Sequence, residues 1–165
     1  EDAAKRLLAA TNPVILAGLG VLYAEASAEL VALAELLQAP VMTTVDGKSA
    51  FPENHALALG SGGNTFNGPG RMYMYDKADM IFAIGTGLNN HPLTTPPLPK
   101  GVPVIHSTND PSDINKDYRA DHALVGDAGK RQVKNRKHAL VTGIGGIPYG
   151  RNWQTSTVMV LSSNV

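Results

Sequence analysis

Two kinds of residue in this chain have types and spacing suited to chemistry: a polar run and a set of glycine-rich turns. The stretch "VPVIHSTNDPSDINKDY", residues 102–118, sends Val102, Val104 and Ile105 toward a core. It then delivers His106, Ser107, Thr108, Asn109 and Asp110 together, ahead of Pro111. Asn, Asp, Ser and Pro are the usual turn residues, so one reading is a turn and nothing more. The other is a nucleotide crevice, because open α/β sheets hold nucleotides at the carboxyl ends of their parallel strands. Other apolar runs end in the same way, at Ala17-Gly18-Leu19-Gly20, Thr43-Thr44, Gly85-Thr86-Gly87 and Gly126-Asp127. Glycine at such an end lets a ligand approach the backbone, and a following helix N-terminus favours phosphate. Five ends of this kind along one edge describe a crevice.

A catalytic site of its own is harder to find. "GLGVLY" has the first two glycines of G-x-G-x-x-G, but Tyr23 stands at the third, where glycine permits close helix–strand packing. No acid follows "PVMTT" to hold a ribose hydroxyl, so an ordinary NAD-dependent dehydrogenase is disfavoured, and a tight structural turn is the competing account of the glycines. The five histidines, His55, His91, His106, His122 and His138, lack the i, i+4 spacing of a zinc site. A lone strand-end histidine such as His106 is more often a satisfied structural residue than a base. There is no G-x-S-x-G elbow and no Walker lysine loop. The basic run "KRQVKNRK" has no interleaved aromatics and reads as a solvated helix end, not a nucleic-acid contact. No catalytic residue and no metal ligand is named.

The elements that must position these residues follow from periodicity. "AAKRLLAATNP" puts Ala4, Leu7 and Leu8 on one helical face and ends at Asn12-Pro13. "PVILA" is a continuous apolar strand. "AEASAELVALAELLQAP" carries Leu30, Leu33, Ala34 and Leu37 at helical spacing. "PVMTT", "MIFAIG", "VPVIHS" and "HALVGD" are further strands, "MYMYDKAD" a helix end and "DPSDINKDY" a helical turn. Short strands, apolar on both faces and separated by a dozen or more residues, predict an α/β fold. The sheet is Rossmann-like and parallel, about six strands wide, with helices on both faces.

Composition agrees with one soluble domain in 165 residues. No apolar run approaches the roughly 18–20 residues of a membrane span, no signal peptide opens the chain, and zero cysteines exclude disulfides and thiolate chemistry. The expected location is the cytoplasm. With no initiator Met, the chain reads as a piece of something longer. The zero net charge is uneven: residues 1–128 hold all 14 acids and 8 of the 14 bases, whereas 129–165 hold 6 bases and no acid. Opposite halves of this kind suggest two segments of different character.

In combination, "NPVILAGLGV", "APVMTTVDGKSAFPENHALALG", "ADMIFAIG" and "VIHSTNDPSDINKDYRADHALVGDA" resemble the central domain of thiamine diphosphate-dependent enzymes. The nearest group is that of acetolactate synthase, glyoxylate carboligase, benzaldehyde lyase and oxalyl-CoA decarboxylase. The resemblance covers residues 3–128 and follows the family order. It implies the middle part of a three-domain subunit, whose flanking domains would be this domain's partners. Those domains would hold thiamine diphosphate and Mg²⁺, with the activating glutamate in the first and the G-D-G motif in the third. The central domain of some members binds FAD or an ADP group at the strand edge, while in others it only packs.

Carried over residue by residue, the resemblance places ligand contacts at Gly18, Leu19 and Gly20, at Thr44, Val45 and Gly47, and at the strand end Gly85. It places others at Thr108, Asn109 and Asp110, followed by Asp113 and Ile114, and at Gly126 and Asp127. Thr108 stands where the family's "D-I-D-P-A-E-I" segment has its first Asp. In "GTGLNNH", Gly87, Leu88, Asn89, Asn90 and His91 replace the Arg-Phe-Asp-Asp-Arg of FAD-binding members, so ADP or a CoA-like adenosine diphosphate is expected before FAD. The domain is expected over 1–128, with 129–165 an atypical tail, extended at 156–161, that folds back or makes a weak homodimer. The chain alone is expected to be inactive. The reading of a different class is a stand-alone nucleotide-binding or scaffolding module of the same fold. A sirtuin-like deacylase shares the topology but needs a zinc module that a chain without cysteine lacks.

Overall fold

The computed structural model describes residues 2–62, 68–91 and 97–125, together with the backbone of 138–142 and 158–162. The elements run α1 (Asp2–Ala9), β1 (Pro13–Ala17), α2 (Leu19–Tyr23), α3 (Ser27–Leu37), β2 (Val41–Thr43), β3 (Ala58–Ser61), α4 (Pro69–Asp76), β4 (Met80–Ile84), β5 (Val104–Thr108) and β6 (His122–Val125). A 3-10 turn, Pro111–Asp113, follows β5. The sheet is six-stranded in the order β3-β2-β1-β4-β5-β6, and every pairing in it is parallel. This is the α/β architecture expected from the apolar runs.

Alternation along the strands divides the core into two layers. Ile15 and Ala17 of β1 face Leu7, Val21, Leu30 and Leu33, the inner sides of α1, α2 and α3. Val14 and Leu16 face the other way, toward Met42, Met74 of α4, Leu88 and Val104. Central strands β1, β4 and β5 are buried along their whole length; β1 and β4 are apolar on both faces, whereas β5 turns polar from His106 to Thr108. The edge strands β3 and β6 are only partly covered.

Three local expectations change. Leu8 does not share the buried face of α1; the stripe is Ala3, Ala4 and Leu7, and Leu8 is 53% exposed, because adjacent helical residues lie about 100° apart. The strand β3 sits within "HALALGS", where small residues and a glycine at φ +84° hid an edge strand. The short helix α2 intervenes before α3 and ends at Tyr23, which is 54% exposed. A bulky residue is tolerated at the position where the dinucleotide fingerprint has glycine, because the helix stops there without needing a close approach.

The amino edge of the sheet is fastened by carboxylates. Asp79 accepts the amides of Thr11 and Asn12 at 2.7 and 2.9 Å, and Asp121 accepts the Val104 amide at 2.9 Å. Beyond the six-stranded sheet, β7 (His138–Thr142) and β8 (Val158–Ser162) pair antiparallel, β7 running beside α3 and β8 beside α1. The extended stretch expected at 156–161 thus meets β8 from Val158 onward. Among the described residues no helix is long and apolar enough to cross a membrane.

Candidate functional site

The carboxyl edge is fastened by glycines. The Gly18 amide donates to the Ile84 carbonyl at 2.9 Å and the Gly20 amide to the Gly85 carbonyl at 2.8 Å, locking the β1 loop onto the β4 loop. The approach is too close for a side chain. A Cβ on Gly18 would stand 2.4 Å from the Gly85 oxygen, one on Gly20 would stand 2.8 Å from the Gly85 Cα, and one on Gly47 would stand 2.7 Å from the Gly18 carbonyl carbon. Gly85 also needs its left-handed backbone, at φ +62°. These four predicted residues therefore do come together, and chain-on-chain contact demands glycine at each of them without any ligand.

Thr44 and Val45 divide the work of the β2 end. The Thr44 amide donates to the Ala17 carbonyl at 2.9 Å, and its buried hydroxyl accepts the Gly47 amide at 3.0 Å. Val45 points outward, 44% exposed. The rest of "GKSAFPENH" is scaffold. Ala50 and Phe51 enter the helix-side core, and His55 ties the loop to α3 through Glu35 at 3.2 Å. Leu19 is half-buried in the β1 loop.

At the end of β5 the polar run splits. His106, Ser107 and Thr108 are buried, and Asn109 and Asp110 are exposed. Thr108 Oγ1 donates to Asp113 Oδ2 at 3.1 Å and accepts the Asp110 amide at 3.3 Å. Asp110 Oδ1 accepts the Ser112 amide at 2.8 Å, capping the 3-10 turn, and the hydrogen bonds from Ser112 hold its carboxyl below the usual range. The turn reading of this stretch is thus physically realised, with the Asp110 carboxylate engaged by both the amide and the side chain of Ser112. Asp110→Ala should lower the denaturation midpoint, whereas Asp110→Asn, which retains a capping oxygen, should lower it much less. Urea unfolding of both variants checks this.

Two residues that the sequence reading named only in passing, Asp113 and Thr86, tie the loops together. Asp113 brings its carboxylate 3.2 Å from where a Gly87 Cβ would stand, joining the β5 turn to the β4 loop. Thr86 accepts the His106 Nε2–H through its carbonyl at 2.7 Å and the Leu88 amide through its hydroxyl at 3.2 Å. The only signal for Thr86 was its place between two glycines at a strand end. Gly126 and Asp127 lie outside the described residues. Among the described residues no three His, Cys, Asp or Glu side chains gather as a metal site.

What these four loops share is a position. The order β3-β2-β1-β4-β5-β6 reverses direction between β1 and β4, whose loops flank the reversal, and the loops from β2 and β5 reach them from one strand farther out through Gly47 and Asp113. Such a reversal is where open parallel sheets present a crevice. Val45, Asn89, Asn109 and Asp110 are exposed around it.

Comparison with known proteins gives a consistent picture. The family described as "Thiamine pyrophosphate enzyme, central domain" matches residues 1–134. A probable acetolactate synthase large subunit from Methanocaldococcus jannaschii is 41% identical over 144 residues, covering 86% of this chain and 24% of that protein. A sulfoacetaldehyde acetyltransferase from Rhodobacter capsulatus is 39% identical over 136 residues, 78% of this chain and 22% of that one. Among solved structures, a thiamine diphosphate-dependent 4-hydroxybenzoylformate decarboxylase from Rhodococcus jostii RHA1 superposes with a TM-score of 0.63 at 28% identity, covering 75% of this chain and 24% of its own. The chain thus spans about a quarter of the length of the relatives it matches.

Proposed function

Because the chain belongs to the thiamine pyrophosphate enzyme central-domain family, we propose that it serves as the central, non-catalytic domain of a larger acetolactate synthase-like carboligase or decarboxylase. Residues 1–128 form the domain and 129–165 an appended tail. Its strand edge holds the adenosine diphosphate part of a nucleotide. The observation that carries the ligand reading is the convergence of four strand-end loops at the reversal between β1 and β4. Gly18, Leu19 and Gly20 with Gly85 form its floor, Thr44, Val45 and Gly47 one wall, and Thr108, Asn109 and Asp110 the other.

ADP or a CoA-like ligand is preferred over FAD. The stretch Gly87 to His91 offers no arginine and no acid to a flavin, and Asn90 is engaged internally, its backbone N–H donating to Asp117 Oδ2 at 2.7 Å and its side-chain Oδ1 accepting the Tyr118 hydroxyl at 3.3 Å. Among the described residues no gathered donor set suits a Mg²⁺–diphosphate centre. Thiamine diphosphate and Mg²⁺ belong to the flanking domains of the parent, and no chemical step is assigned to this chain's side chains.

The test is a domain exchange with a titration. Placed in the M. jannaschii large subunit at its matching segment, the chain should sustain acetolactate formation with thiamine diphosphate and Mg²⁺ added. The chain alone should form none. An inactive but folded chimera would argue for a stand-alone module instead. Calorimetry should rank ADP above FAD and NAD, and Asp110→Asn should loosen ADP roughly tenfold or more if the carboxylate holds a hydroxyl. Tight FAD binding with ADP silent would reverse the ligand assignment.

A further inference from the structure

The imidazole of His106 is sealed in the α4-side layer at 0% exposure. Its Nε2 donates to the Thr86 carbonyl at 2.7 Å, while Nδ1 is buried with no hydrogen-bond partner. The ring is thus a neutral Nε2–H tautomer held by a single bond. That bond lands on a segment under backbone strain. Leu88 holds a left-handed backbone at φ +47°, which disfavours any residue with a side chain, while Gly85 turns at φ +62° without that penalty. Five contacts keep the hook closed: Gly85 to the Ser107 carbonyl at its sheet end, Gly20 to Gly85, His106 to Thr86, Leu88 to the Thr86 hydroxyl, and the burial of the Leu88 side chain at 1% exposure.

We propose that His106 is a proton-operated latch for the Gly85–Leu88 hook. As the neutral imidazole it clamps the hook over Gly18–Gly20, and on taking a proton at Nδ1 it releases it. The released form accommodates the new N–H, which in the closed form would be a charged donor facing apolar core with no acceptor. The proposal does not depend on which ligand the edge holds.

The surroundings define the electrostatics. On β4 and β6 the residues level with His106 are Ala83 and Ala123, which carry no charge. His122 is level with Ile105, on the opposite face, where it meets Asp2 at 2.9 Å. From the turn after β5, Asp113 is the carboxylate whose field reaches the ring. Burial pushes the His106 pKa below its ordinary 6.5, and the hydrogen bond to the Thr86 carbonyl and then the field of Asp113 oppose the shift without reversing it, so the cost of the proton falls on the unpartnered Nδ1 and not on the Thr86 bond. The closed form therefore binds fewer protons than an opened or unfolded one. Its stability is fully present above pH 6.5 and is lost as pH falls from there toward the depressed value.

Residue-resolved amide exchange on the full chain between pH 7.5 and 5.5, corrected for intrinsic rates, is the test. Protection of the Gly20 and Leu88 amides should fall about tenfold, ahead of the Ile15 amide in the sheet centre. In His106→Gln the side-chain amide keeps a donor near the Nε2 position without titrating, so the profile should be flat. Asp113→Asn should leave the onset of the fall near pH 6.5 and extend it to lower pH, since it lowers only the closed-form value. A flat wild-type profile, or an equal fall at Ile15, overturns the latch. Should the Gln variant not fold, the wild-type imidazole ¹⁵N titration decides: Nδ1 must protonate over the same pH range in which Gly20 and Leu88 lose protection.

Discussion

Gly85→Ala is expected to be the most damaging single change at the strand edge, costing about 2–5 kcal/mol. Two independent costs meet there. The backbone sits at φ +62°, which charges an L-residue roughly 1–2 kcal/mol, and the new methyl would stand 2.8 Å from the Val21 nitrogen, an overpacking worth roughly 1–3 kcal/mol. Two neighbours separate the contributions. Gly18 has φ −106°, open to any residue, so Gly18→Ala reports only the clash with Gly85 and Thr86. Gly101 has φ +84° and nothing within 4 Å of a Cβ, so Gly101→Ala reports only the backbone and should cost about 1 kcal/mol. Urea denaturation of the three variants gives the comparison. If Gly18→Ala costs no more than Gly101→Ala, the β1 and β4 loops are not interlocked as described.

That interlock shows how far the sequence could be read. Apolar runs ending in glycine or threonine disclosed the parallel sheet and the shared edge, because strands buried on both faces have no freedom to hide their character. The roles of the glycines at that edge were only half legible. Spacing identifies Gly18, Gly20, Gly47 and Gly85 as positions where backbone must come close to something. It cannot say that the something is another loop of the same chain, since Gly18 and Gly85 are 67 residues apart. Asp113 and Thr86 were named without their roles for the same reason: their partners, Gly87 with Thr108 and His106 with Leu88, are supplied by folding. The strand β3 escaped because an edge strand needs neither face continuously apolar. His106 was read as a satisfied structural histidine, and only its Nε2 is satisfied.

Phe82→Ala should come close to abolishing the fold. Among the described residues Phe82 is the largest fully buried side chain. It sits in the middle of β4, level with Ile15 on one side and Ile105 on the other, and it belongs to the layer of Leu7, Leu30 and Leu33 under α1 and α3. Removing a buried phenyl ring costs roughly 3–5 kcal/mol, through lost burial and the cavity left behind. That is a large part of the roughly 5–15 kcal/mol of a typical domain. The loss also reaches the site, because β4 runs directly into Gly85 and aligns the hook with β1. Phe82→Leu, which refills much of the volume, should cost far less. Leu36→Ala, at a position 44% exposed, should stay within about 0.5 kcal/mol. Thermal and urea unfolding of the set, with Gly20 amide protection measured in Phe82→Leu, tests both steps. A cost near 1 kcal/mol for Phe82→Ala would mean that the layer beneath α1 and α3 collapses onto the vacancy, and that the hook's alignment does not depend on a rigid β4.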